Sequence, residues 1–424
     1  MERAEKLRSR IFNSSSPAAT AVAAFLFVLV VSALSVQPAQ AQGYTAVYNF
    51  SGGGDGAHPL AGVTMDALGN LYGTTAGFFQ QGNNSCLRAP AGAGACGTVF
   101  KLSREESGWV LSTIYSFSGG AQGARPAAPL TLAADGSLYG TTYMGGGTGC
   151  GGVGCGTVFQ LTPSADGSWT ETVLYRFSGG LDGATPGTGA LLLAGDGSLY
   201  GTTTAGGQLN AGVVFEVARS GSGWTETVIH AFGSQGDGAI PWSGLITDPE
   251  GNMFGTTVGG APGGDVYELS PSNGGWDERV IAAISCEFCD PGLYGGLVRD
   301  SEGNLYGASE GLGGAGGAAF VVSPSGNDWN LNYIYAEFRS PGPTNSLVVA
   351  VGELGLYGTA DGAVFELVPP PVFNWRLGWN GTDLAGLGGG LGDSGVILGS
   401  DGNLYGATAY GGSSGNGMVY AVTP

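Results

Sequence analysis

Basic residues are scarce in this sequence. Of its 424 residues only 14 are Lys or Arg, against 33 Asp or Glu, and beyond position 41 the one lysine is Lys101. Nucleic-acid binding needs clustered Lys and Arg to neutralise phosphates, so no nucleic-acid partner is expected. Histidine is scarcer still, with only His58 and His230. A Ser-His-Asp triad or a His-based metal centre needs an imidazole held by a second group. Both histidines read instead as substitutions inside a repeat, His58 standing where other copies have Arg125, Thr185 and Ile240, and His230 where they have Tyr115 and Tyr175. No catalytic, cofactor-binding or metal-binding residue is assigned on these grounds, and the chain is read as no enzyme. Helical periodicity is missing after the first forty residues, and beyond them no apolar run approaches the 18 or so residues that suggest a membrane span.

The first 41 residues have the three parts of a secretory signal: Arg3, Lys6, Arg8 and Arg10 at the start, an apolar run over 18–36, and Ala39-Gln40-Ala41 as a small-x-small cleavage site. Cleavage after Ala41 is expected, leaving 42–424 as the mature chain in the periplasm, at the cell surface or outside the cell. That removes four basic and two acidic residues, so ten basic and 31 acidic remain, a net charge of −21. Such a charge favours solubility and attracts cations.

Glycine is abundant, at 84 residues, yet it follows no Gly-X-Y period and 42% of the chain is apolar, which excludes both collagen and disorder. Its place is in turns. One short string returns seven times, first as Asn70-Leu71-Tyr72-Gly73-Thr74-Thr75, with its aromatic-Gly pair starting at 72, 139, 200, 254, 306, 357 and 405. The spacings shrink from 67 to 48 residues, a period that with β-type residues points to propeller blades. Each copy holds four strand-like pieces, and the alternation of 169–175 suits a half-exposed strand. The third strand carries Phe100, Phe159, Phe215, Tyr267, Phe320, Phe365 and Tyr420 in register, and the fourth is preceded by Trp109, Trp169, Trp224, Trp276, Trp329 and Trp375. Rings repeated at one site per blade imply packing between blades.

The last copy stops after its third strand at 418–424, while 44–50 match the fourth strand at 171–177. The sequence therefore predicts an all-β fold, a seven-bladed β-propeller of four-stranded repeats whose ring is closed by the N-terminal strand, leaving no open sheet edges.

The strings GTVF at 97–100 and 156–159, ETVLYRFSGG at 171–180 and GNLYGTT at 69–75 resemble the tandem repeat of the GloVer-type ("choice-of-anchor") bacterial proteins. The resemblance covers 44–424 and implies a repeat and an export route, but no activity.

Six cysteines come as three close pairs: Cys86 with Cys96, Cys150 with Cys155, and Cys286 with Cys289. In an exported protein these read as local disulfides; a lone Cys-x-x-Cys lacks the other ligands of a structural zinc site. Asp66, Asp135, Asp196, Asp248, Asp300 and Asp401 sit beside glycine at the first hairpin of their copies, and Asp55, Asp182 and Asp237 in the loops that follow fourth strands. With one carboxylate per turn and no spaced Asp-x-Asp-x-Asp-Gly run, they read as turn caps and not as calcium ligands. Strand direction puts the cysteines and the longest loops on one face, together with Phe78, Phe79, Tyr143, Trp242 and Tyr410, which either meet a ligand or pack inward. The expected function is non-enzymatic binding of a protein, glycan or envelope component through that face. Two alternatives stand beside it: a metal-dependent hydrolase or lactonase-like propeller, and a purely structural or adhesive surface repeat.

Overall fold

The computed structural model describes residues 43–78, 96–234, 236–260, 264–284, 292–309, 317–335, 348–349, 355–360, 362–370, 379–387 and 394–424. They form seven antiparallel blades in a ring. Blade one runs through Thr64–Met65, Leu71–Thr75, Thr98–Glu105 and Gly108–Ser116, paired in that order. Blades four and five repeat it as Ile246–Thr247, Met253–Thr257, Asp265–Ser272 and Gly275–Ala283, then Val298–Arg299, Leu305–Ser309, Ala318–Ser325 and Asp328–Tyr335. Blade seven takes its first three strands, Ile397–Leu398, Leu404–Thr408 and Met418–Val422, from the end of the chain and its fourth, Tyr44–Asn49, from the beginning. Tyr44 stands opposite Val422, and Asn49 opposite Met418. The ring is closed as the phasing of the repeat predicted.

The packing explains the aromatic-Gly signature. In the ladder between second and third strands, Gly73 faces Phe100, Gly140 faces Phe159 and Gly201 faces Phe215, and the same pairing recurs in every blade. The ring lies over the glycine so closely that a methyl group at Gly73, Gly140 or Gly201 would stand 2.5, 2.6 and 2.5 Å from it. Only glycine leaves that space, which is how a large ring is buried inside a thin sheet. In blades one to four the ring then meets the phenylalanine just after the fourth strand of the preceding blade, edge to face: Phe50 with Phe100 at 5.2 Å, Phe117 with Phe159 at 5.2 Å, Phe177 with Phe215 at 5.1 Å and Phe232 with Tyr267 at 5.1 Å. Such pairs add to the burial itself.

A second set of rings joins the blades nearer the rim. The strand-two ring of one blade meets the tryptophan of the next: Tyr72 with Trp169, Tyr200 with Trp276, Phe254 with Trp329, and Tyr405 with Trp109 across the closure. In blade six this position belongs to Trp379, 6.1 Å from Tyr306, and not to Trp375, which lies outside the described residues.

Tyr267 and Tyr420 occupy the Phe100 position in blades four and seven. Both are fully buried, and among the described residues their hydroxyls have no hydrogen-bond partner. A buried hydroxyl without a partner keeps its desolvation cost. Tyr267→Phe and Tyr420→Phe are therefore expected to raise stability by about 1 kcal/mol each, read as a higher midpoint in denaturant unfolding. A lower midpoint in both would mean that the hydroxyls are satisfied.

Candidate binding face

In an up-and-down blade, the loop between strands two and three and the link to the next blade emerge on the same face. There the chain repeats Gly-Ala-x-Pro: Gly56 to Pro59, Gly123 to Pro126, Gly183 to Pro186 and Gly238 to Pro241. The x residues His58, Arg125, Thr185 and Ile240 have φ of 56°, 59°, 51° and 59°. Left-handed backbone is costly for side chains of this kind, above all the β-branched ones, and persists only where the surroundings impose it. Here hydrogen bonds do so. The N–H groups of His58, Arg125, Thr185 and Ile240 donate to Asn416, Cys96, Cys155 and Ala211 of the preceding blade. The carbonyls of His58, Arg125 and Ile240 accept from Ala76, Tyr143 and Val258 of the following blade. Each x residue is a clasp between neighbours, and its side chain is presented at a fixed angle.

Around the blade seven, one and two clasps the side chains converge. His58 lies 5.6 Å from Phe78 and 5.0 Å from Tyr410, and its Nδ1 is 2.9 Å from the Ala409 carbonyl oxygen. The Arg125 guanidinium sits 5.3 Å from the centre of the Tyr143 ring. Burial lowers its pKa, while Tyr143 and Tyr410 act in the opposite sense. Arginine stays charged under such a shift. Phe78 and Tyr410 are 42% and 47% exposed, so two open rings flank His58.

Of the five rings expected on this face, Phe78, Tyr143 and Tyr410 belong to that cluster. Trp242 lies apart, edge-on to Tyr294 at 5.7 Å, and Phe79 lies outside the described residues. In the sequence His58 reads as an ordinary substitution at the position that Arg125 holds in the next copy. The signal that would have found them is a variable residue inside a constant Gly-Ala-x-Pro frame. Beside the cluster, Cys150 and Cys155 form a disulfide with Cα atoms 5.3 Å apart, and Gly179 packs against both sulfurs. Closing so short a loop contributes about 2 kcal/mol. Cys96 is disulfide-bonded; Cys86, Cys286 and Cys289 lie outside the described residues.

The aspartates cap turns. Asp66 accepts from the Leu68 and Asn70 N–H groups, the Asn70 amide and the Tyr72 hydroxyl, and although burial pulls its pKa upward these donors hold it below the usual value. Among the described residues no group of three or more His, Cys, Asp or Glu side chains is placed to hold a metal ion. His230 stands 3.3 Å from Asp237, in the junction between blades three and four, and burial lowers its pKa against the pull of that carboxylate.

Two glutamates on fourth strands behave differently. Burial raises Glu226 to about 7, helped by Asp182, and burial raises Glu278 to about 7, helped by Asp237 and Asp265. A carboxyl whose pKa rises on folding stabilises the folded state fully below its ordinary pKa, and that contribution is lost as pH climbs through the folded value. The melting temperature is therefore expected to fall as pH rises from the ordinary glutamate value of 4.5 through the folded value of about 7, and the double variant Glu226→Gln, Glu278→Gln to flatten that fall while leaving the value below pH 4.5 unchanged. An identical slope in the variant would show that other groups set it.

Seven blades of one repeated unit, joined by clasps and stacked rings, define a tandem-repeat β-propeller. The chain matches the Gloeobacter/Verrucomicrobia repeat over residues 33–191 and 151–367 and belongs to that family. No curated protein matches it. Among solved structures it is similar to a candidate 6-phosphogluconolactonase from Bacteroides fragilis, at 14% identity over 76% of this chain and 82% of that one with a TM-score of 0.49. It is also similar to a Dyadobacter fermentans protein of unknown function, at 12% identity over 90% and 97% with a TM-score of 0.45. The periplasmic gluconolactonase of Pseudomonas aeruginosa follows at 14% identity over 83% and 96%, TM-score 0.44. Likenesses this distant say nothing about the chemistry of this chain.

Proposed function

We propose that this protein is an exported, non-enzymatic propeller that binds a glycan through its loop-rich face. The observation that carries this reading is the group of His58 with the exposed rings Phe78 and Tyr410, next along the ring of clasps to the Arg125–Tyr143 pair. Flat exposed rings stack on the apolar faces of sugars, and a fixed guanidinium donates to their oxygens. A ligand held by one arginine on a chain of net charge −21 is a neutral or weakly charged sugar rather than a polyanion. Export is supported by the signal-like residues 1–41 and by the Cys150–Cys155 disulfide, which persists in oxidising compartments. No helix of the described residues is long and apolar enough to cross a membrane. The non-enzymatic reading is supported by the way both histidines are engaged, His58 among rings and His230 within a blade junction.

Calorimetric titration of the mature chain against a panel of neutral and uronic-acid oligosaccharides tests this. A bound glycan is expected, with Arg125→Gln and Tyr410→Ala each weakening it about tenfold, as for loss of a charge-assisted hydrogen bond or a stacked ring. Equal affinity in both variants, or no binding by the wild type, would count against this site.

A further inference from the structure

The opposite face carries a feature found in one blade alone. In six blades the strand-two residue is tyrosine, and in all six its hydroxyl is engaged. Tyr72, Tyr306 and Tyr405 donate to the hairpin aspartates Asp66, Asp300 and Asp401 at 3.1, 3.0 and 2.7 Å. Tyr200 and Tyr357 donate to the strand-three glutamates Glu216 and Glu366 at 3.0 Å, and Tyr139 accepts from Gln160. Blade four has both acceptors, Asp248 and Glu268, but its ring is Phe254. Strand two therefore offers no hydroxyl to either of them at this position.

At this place a cleft of about 430 Å³ opens between the first hairpin of blade four and the two hairpins of blade five on that face. Phe254 and Trp329, packed edge to face at 5.6 Å, line it beneath Asp248 and Glu268. Glu268 is held through one oxygen by Arg279 and accepts from the Ser270 hydroxyl at 3.4 Å through the other, and Asp248 accepts from the backbone and side-chain amides of Asn252 at 2.8 Å. Glu250, Glu302 and Asp328 add carboxylates and Arg299 a second cation, so five acids face two arginines.

We propose that this cleft binds a primary ammonium group on a small polar ligand, the ammonium taking the place of the missing tyrosine hydroxyl between Asp248 and Glu268. An ammonium brings three donors and the charge that the surplus of carboxylates favours, and it is attracted by aromatic rings such as those of Phe254 and Trp329 in the lining. The same chemistry is carried by an amino sugar and by a lysine side chain.

Calorimetric titration of the mature chain with a glucosamine trisaccharide, its fully N-acetylated counterpart and a lysine-containing tripeptide tests the proposal. At least one ammonium ligand is expected to bind, with the acetylated sugar at least tenfold weaker; which of the two binds identifies the source. Phe254→Tyr restores the residue that the other six blades accommodate, and is expected to keep the melting temperature while weakening the ammonium ligand tenfold or more. Asp248→Asn should weaken it as well. Absence of binding by both ammonium ligands, equal binding of the acetylated sugar, or undiminished binding by Phe254→Tyr would overturn the proposal. Because no residue is shared with the Arg125 cluster, failure here leaves the glycan reading of the other face untouched.

Discussion

Deleting residues 43–51 is expected to open the ring and abolish cooperative unfolding. Those residues supply the fourth strand of blade seven, and with it the ladder to Met418–Val422. They also supply Phe50, which is fully buried between blades seven and one against Phe100 and donates its N–H to Gly417 at 3.0 Å. Truncating such a ring alone costs about 3–5 kcal/mol, comparable with much of the 5–15 kcal/mol by which domains are stable. Removing the strand also leaves Met418–Val422 as a bare edge able to pair with another chain. Size-exclusion chromatography should show self-association of the deleted form, and denaturant unfolding of Phe50→Ala should give the 3–5 kcal/mol loss. A monomeric deletion variant with the wild-type midpoint would mean that the closure does not hold the ring.

Gly201→Ala is the second large effect. Its new methyl would stand 2.5 Å from the Phe215 ring and 2.8 Å from Leu191, deeper than any contact can be compressed. The ring has nowhere to go, since Phe177 packs against it at 5.1 Å from the neighbouring blade. Overpacking of this kind costs about 1–3 kcal/mol. In a Phe215→Leu background the same substitution should cost clearly less, because the smaller side chain leaves room for the methyl. Equal costs in the two backgrounds, measured as a double-mutant cycle, would show that the glycine serves some purpose other than admitting the ring.

The repeat, the blade number and the closure were legible because they rest on period-two alternation and on rings recurring at one register. Blade six shows where that legibility stops. Trp375 follows Phe365 by 10 residues, as Trp169 follows Phe159, so spacing alone selected it; strand pairing instead sets Asp383 opposite Phe365, which gives Trp379 the inward place. A longer connection between the third and fourth strands cannot be read from spacing. The site was legible only in part. The exposed rings could be assigned to a face from strand direction, but the left-handed backbone that fixes His58 and Arg125 is a product of hydrogen bonds to two other blades, and leaves no local trace beyond the proline. Glu226 and Glu278 share the parity of Leu111 and Leu331 on the fourth strand, so their half-buried position, the larger cause of the raised pKa, was written in the alternation, while the smaller contribution of Asp182, Asp237 and Asp265 depended on groups arriving from elsewhere in the chain.

Tyr44 and Val422 face each other across one ladder, so the polypeptide is a circle interrupted at a single point that only hydrogen bonds span. That interruption falls inside a blade. Joining residue 424 to residue 43 through a short linker and starting the chain at any exposed 3–4 hairpin would reproduce the same arrangement, with another blade assembled from the two ends. Starting it between blades would leave every sheet complete and the circle fastened by side-chain packing and the clasp hydrogen bonds, with no shared ladder. A set of such circular permutants separates the contribution of the interlocked blade from that of the repeated unit.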